Sequence, residues 1–220
     1  MKRIALPIGL LIALLATSLA GADISVFKTS FSTRSEYASI QRLSGAPSKC
    51  KRSWRGKKSV GVLVKGGEAD CAFSTPVEGD AKQPDHTVKA TGVVTTNTDK
   101  KVRESVYVGI AVRASSRGGY ELRIFPKSRR WQLLKGGKVL EEDREKGIEP
   151  LDKANRMQIS ALGNTVTAKV NGKALAGFKD KKAEQVDGRG TAITYGDRKR
   201  SKKAEGVAYF DKLKVQVPTP

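Results

Sequence analysis

Three carboxylates at alternate positions, Glu141, Asp143 and Glu145, lie within "EEDREKGIE". On a strand such spacing places side chains on one face. Two carboxylates facing a glycosidic bond can serve as acid and nucleophile, or as acid and base. The surrounding run argues against that chemistry. It lacks interleaved β-branched or aromatic residues, sits among charges and glycine, and is expected to be a solvated loop. A second candidate is His86, beside Asp85 in "KQPDHTVK". It is the chain's single histidine, so any Ser-His-Asp relay would have to use it. No G-x-S-x-G elbow supplies the nucleophile, and His86 is expected to be an exposed loop residue. One histidine and two cysteines cannot build a Cys/His zinc site. "EGDAKQPD" and "KDKK" are poor sources of the converging oxygens that calcium needs. "VKGGEAD" and "SRGG" lack a phosphate-binding pattern. No catalytic residue, metal or cofactor is expected.

Basic residues beside tryptophan offer different chemistry. "KCKRSWRGKK" surrounds Trp54 with Lys and Arg, and "KSRRW" sets Arg130 directly before Trp131. "DRKRSKK" contributes Arg198, Lys199 and Arg200. Guanidinium and ammonium groups attract phosphates, sulfates and uronates, while an exposed aromatic ring stacks on a base or a sugar. Trp54, Arg130, Trp131, Arg198, Lys199 and Arg200 are therefore the candidate ligand contacts. The whole chain supports this direction: 42 Lys and Arg against 22 Asp and Glu give a formal charge of +20. Such an excess favours polyanionic partners and says nothing about fold.

The elements that must position these residues are strands. "SVYVGIAVRAS", "YELRIFP" and "WQLLKG" follow one another across turn-forming "SSRGG" and "KSRR". Val106, Val108, Ile110 and Val112 share one face, as do Tyr120, Leu122 and Ile124. Three consecutive alternating runs predict an antiparallel meander. "NTVTAKVNGKAL" alternates cleanly and then turns at Asn171-Gly172, the strongest short-range hairpin signal. "VAYFDKLKVQV" closes the chain with Leu213, Val215 and Val217 on one face. "DISVFKTSFS" reads as a first strand, and the stretch from Thr33 to Lys58 reads as irregular. No long amphipathic helix is predicted. Many short strands divided by Gly and charged turns predict an all-β, antiparallel sandwich or jelly roll.

The N-terminus carries an export signal. Lys2 and Arg3 precede an apolar run from Ile4 to Leu15, and small residues at Ala20 to Ala22 fit a cleavage site. Residues 1–22 are expected to be a signal peptide, and 23–220 one sandwich domain with no membrane span. A secreted or extracytoplasmic location favours oxidation of Cys50 and Cys71, so these two are expected to form a disulfide.

The second half resembles a known family. "YVGIAVRAS…GGYELRIF…RRWQLLKG", then "NRMQISALGNTVTAKVNGKAL" and "GVAYFDKLKV", is similar to the concanavalin A-like lectin/glucanase jelly roll. The nearest likeness is to its laminin-G-like, DUF1080-type (3-keto-disaccharide hydrolase-like) branch. The residues that carry it include Tyr120, Trp131, Asn155, Gly163, Asn171, Gly172, Phe210 and Asp211, within Ser105 to Val217. The resemblance implies a concanavalin A-like β-sandwich and a role in handling carbohydrate. Glucanases of this fold carry an E-x-D-x-x-E strand, which this chain lacks. The expected function is therefore non-catalytic recognition of carbohydrate or a polyanionic envelope component, with nucleic acid bound only non-specifically. The alternatives are a diverged glycoside-processing hydrolase and a structural or protein-binding accessory domain.

Overall fold

The computed structural model describes residues 23–45, 49–55, 59–65, 69–74, 85–115, 118–182, 190–197 and 205–219. The expected signal segment and Arg198, Lys199 and Arg200 lie outside the described residues. In chain order the elements begin with β1 (Ile24–Thr29), the helix α1 (Arg34–Ser39), β2 (Gln41–Ser44), β3 (Cys50–Arg55), β4 (Ser59–Lys65) and β5 (Ala69–Ser74). The central strands are β6 (His86–Val94), β7 (Val106–Ser115), β8 (Gly118–Phe125), β9 (Arg130–Lys135) and β10 (Lys138–Arg144). The last are β11 (Asn155–Leu162), β12 (Thr165–Val170), β13 (Lys173–Lys179), β14 (Gly190–Asp197) and β15 (Glu205–Val217).

They form two antiparallel sheets. The first has eight strands, ordered β13-β12-β11-β6-β15-β4-β3, with β1 also beside β15. The long strand β15 makes this possible, pairing its first half with β4 and its second half with β1. The second sheet has seven strands, ordered β10-β9-β8-β7-β14-β5-β2. This is an all-β, two-layer sandwich with the concanavalin A-like jelly-roll fold. The predicted meander is present as β7 to β10 in sequence along the seven-stranded sheet. The predicted hairpin joins β12 and β13, with Asn171 and Gly172 both at positive φ as such a turn requires.

Period-two alternation fixes which face is buried. In the eight-stranded sheet, Val215, Val88, Ile159 and Ala168 lie opposite one another and point inward. In the seven-stranded sheet, Ile193, Ile110, Leu122 and Leu133 make the facing row. All eight side chains are fully buried in one core. Cys50 on β3 and Cys71 on β5 are disulfide-bonded, Cα–Cα 5.7 Å apart. The bond ties one sheet to the other and closes a 21-residue separation, a loop length for which cross-linking stabilises by about 3 kcal/mol.

Three local expectations are corrected. His86 is buried, not exposed, because it opens β6 opposite Ala161 in the inward-facing parity. Its Nε2 accepts a hydrogen bond from the Arg113 backbone N–H at 3.3 Å. The acidic run around Glu141 is a strand, β10, because its backbone completes the edge of the sheet even though all seven residues are exposed. The described residues between Thr33 and Arg55 are more ordered than their composition indicates. They hold α1, β2 and β3, with the Thr33 hydroxyl accepting from the Glu36 N–H at 3.1 Å to cap the helix. No helix among the described residues is long and apolar enough to cross a membrane.

Candidate functional site

The outer face of the seven-stranded sheet is polar, yet much of it is buried. Register places Ala72, Thr194, Gly109, Arg123, Gln132 and Glu142 in one row across six strands. Thr194, Arg123 and Gln132 are each less than a tenth exposed. Gly109 is required on this row: a Cβ there would lie 2.4 Å from Thr194 Oγ1 and 2.5 Å from the Leu122 carbonyl oxygen.

Arg123 organises the face. Its guanidinium lies 4.4 Å from the Tyr107 ring centroid, 3.3 Å from Asp70 Oδ1 and 2.8 Å from Glu121 Oε2. Tyr107 donates its hydroxyl proton to Asp70 at 2.9 Å. Burial alone would push the Arg123 guanidinium down, but Glu121, Tyr107 and Asp70 outweigh it and hold the cation charged. Burial, followed by the Glu121 charge, pushes the Tyr107 phenol well above its ordinary range. Tyr107 therefore keeps its proton and acts here as a donor. Glu121 Oε1, Arg123 Nε and Thr194 Oγ1 are buried without a hydrogen-bond partner. Unmatched polar atoms are costly in a buried site.

The next row leads outward. The rings of Tyr107 and Phe125 sit 5.6 Å apart, Phe125 pairs with Arg130, and Arg130 pairs with Arg144. The Arg130 guanidinium covers the Phe125 ring at 4.4 Å. Here the face opens into a basic groove of about 790 Å³, whose cations are Lys100, Lys101, Arg103, Lys127, Arg130 and Arg144. Glu104 is the one carboxylate among the described residues that line it.

Ordered loops hold these cations. Val102 is fully buried and pins the segment between β6 and β7. The Lys101 N–H donates to Asp99 Oδ1 at 2.9 Å, and Arg103 Nε donates to the Thr98 carbonyl at 2.9 Å. Thr98 is itself held by the Val207 N–H, which donates to its hydroxyl at 3.0 Å. Arg129 takes φ 52 in the turn between β8 and β9, and Lys127 and Arg130 on either side of it line the groove.

The sequence-derived candidates separate in space. Arg130 lines the groove. Trp131, its neighbour, points the other way and is 3 % exposed in the core, so it is not a surface ring. Trp54 lies on β3 at the edge of the other sheet, 37 % exposed, with Nε1 donating to the Phe31 carbonyl at 3.0 Å. Its indole N–H is thus engaged by its own chain. The alternate acids do not form a pair. Glu145 is bound by Lys173 at 2.7 Å and by the Gly147 N–H at 2.8 Å, while Glu141 and Asp143 remain exposed on the edge strand. Lys173 and the Gly147 N–H hold the Glu145 carboxyl below its usual range. Glu142, between them, is the acid that reaches the outer face, accepting from Gln132 Nε2 at 2.7 Å.

Sequence reasoning missed Tyr107, Glu121 and Arg123, although the opposite parity of the meander strands identifies them as one outward face. Among the described residues no three His, Cys, Asp or Glu converge to hold a metal. The face holds a buried positive charge and a buried, protonated phenol.

The architecture recurs in proteins of very different sequence. A Bacillus subtilis protein of unknown function with a galectin-like fold superimposes with TM-score 0.60 at 13 % identity, over 89 % of this chain and 97 % of that one. The carbohydrate-binding module CBM66 of Bacillus subtilis gives 0.53 at 12 % identity, over 81 % and 95 %. A family 7 alginate lyase in complex with substrate gives 0.55 at 9 % identity, over 77 % and 82 %. No protein-family model and no curated protein matches the sequence.

Proposed function

We propose that the chain is an exported, non-catalytic recognition domain that binds an anionic glycan through the basic groove at the end of the seven-stranded sheet. The observation that carries this reading is the groove itself. Six Lys and Arg side chains surround it: Arg130 and Arg144 stand on strands, and Lys100, Lys101 and Arg103 on a segment pinned by the buried Val102. Charges placed on ordered backbone lose little freedom on binding, which is the advantage of preorganisation. Solved structures of the same fold include a carbohydrate-binding module and an alginate lyase, which supports a glycan as the ligand class. The laminin-G-like, DUF1080-type likeness belongs to the same proposal and rests on motif order alone.

Export rests on residues 1–22, and a contribution from Arg198, Lys199 and Arg200 rests on their charge. The hydrolase alternative is disfavoured by pairing: Asp70 and Glu121 are engaged by Arg123, and Glu142 by Gln132. A glycosidase needs one carboxyl free to give a proton and another free to attack.

The test uses polygalacturonate as the anionic probe and its neutral methyl ester as control. The double variant Lys127→Glu with Arg144→Glu changes two exposed side chains of the groove. It is expected to bind polygalacturonate roughly tenfold more weakly at low salt, with an unchanged melting temperature. Equal binding by variant and parent rejects the groove.

A further inference from the structure

The opposite side of the sandwich carries a pattern that the groove does not explain. On the outer face of the eight-stranded sheet, Lys28 of β1 lies opposite Lys214 of β15, and Lys214 lies opposite Lys89 of β6. Lys89 in turn faces Gln158 of β11, and Gln158 faces Lys169 of β12. Neighbouring strands are about 4.8 Å apart, so this row crosses the sheet over roughly 19 Å. Like charges directly opposite one another destabilise a sheet. A surface evolved only for solubility intersperses both signs. Here three adjacent strands place lysine against lysine.

The row is recessed. It runs through a groove of about 760 Å³ that Arg156 and Lys212 also line, and no carboxylate lines it among the described residues. Beside it runs a second, uncharged row: Gln216 opposite Thr87, Thr87 opposite Ser160, and Ser160 opposite Thr167. Thr87 and Ser160 share a hydrogen bond at 2.8 Å. Gln216 is 7 % exposed, and its Oε1 is buried without a partner.

We infer that this lysine row is a second binding site, which takes a single chain of an acidic polysaccharide laid across the strands. The cations face one anion after another along the polymer. No aromatic side chain lines the groove among the described residues, so a single-stranded nucleic acid finds no ring on which to stack its bases. A broad sheet face does not enter a duplex groove, which admits a helix or a two-stranded ribbon. A recess suits a chain better than a membrane plane, which meets protrusions first. The inference shares its ligand class with the proposed function but none of its residues, so each site stands or falls alone.

The test is the triple variant Lys28→Gln, Lys89→Gln and Lys214→Gln in the full chain, with the Lys→Arg triple as the charge-preserving counterpart. Polygalacturonate binding is measured by titration across salt concentrations, in parallel with its methyl ester, DNA and phosphatidylglycerol vesicles. The Gln triple is expected to bind polygalacturonate roughly tenfold more weakly with a shallower salt dependence, as fewer counterions are released. The Arg triple is expected to retain binding. Combining the Gln triple with Lys127→Glu and Arg144→Glu should weaken binding further than either alone. If the Gln triple binds polygalacturonate as the parent does while the groove variant does not, the lysine row is refuted and the proposed function survives. The reverse pattern refutes the groove and keeps the row. Loss of DNA or vesicle binding in the Gln triple, with polygalacturonate binding intact, overturns the polysaccharide assignment.

Discussion

The two outer faces of this sandwich use charge in opposite ways. On the seven-stranded sheet, Arg123 is buried and neutralised by Asp70 and Glu121, and it lies over the Tyr107 ring. On the eight-stranded sheet, Lys28, Lys89 and Lys214 stand side by side with no opposing acid lining their groove among the described residues. The first arrangement contributes to the fold, because removing one member strands the others. The second costs stability, because each lysine repels its neighbour. That repulsion, built in register on strands far apart in sequence, is what the inferred second site would use.

The contrast can be broken most forcefully at Arg123. Arg123→Ala leaves Asp70 and Glu121 without their shared cation; Asp70 is 41 % exposed and water can solvate it, so the loss is expected to be about 1–3 kcal/mol, most of it at Glu121. Chemical denaturation reads that loss directly, and a change of less than about 1 kcal/mol would show that the network is as dispensable as the lysine row. The smallest effect is expected on the other face, with the opposite sign. Lys89→Gln removes the middle charge of the row and should stabilise the fold by a few tenths of a kcal/mol at low salt. Added salt should erase that gain, because it already screens the repulsion. Destabilisation by the same substitution would mean that the lysines support the sheet.

The difference between the faces also explains what could be foreseen. The meander was legible because Val106, Val108, Ile110 and Val112 share one parity within a single unbroken run. The Asn171-Gly172 turn was legible because few residue pairs accept positive φ at both positions. The helix α1 was legible in principle from Thr33 and Glu36, spaced as a cap requires, but its six residues carry no hydrophobic repeat. His86 was misjudged because its surroundings in sequence are polar, whereas its partner across the ladder, Ala161, lies 75 positions along the chain. The lysine row was beyond reach for the same reason. Lys28, Lys89, Lys169 and Lys214 are isolated residues in four separate strands, and only long-range register aligns them. The sequence clusters that drew notice, around Trp54 and Trp131, owe their prominence to adjacency in the chain. Adjacent residues on a strand point to opposite faces, which is why Arg130 lines a groove while Trp131 fills the core.

Binding of an acidic glycan without turnover is the central claim for this chain. Titration of the full chain with polygalacturonate, with polymer length measured before and after at each salt concentration, addresses that claim most directly. Binding is expected to weaken steeply as salt rises, with little affinity for the neutral methyl ester and polymer of unchanged length. Shortened polymer, or salt-insensitive binding that does not distinguish the ester from the acid, would contradict that claim.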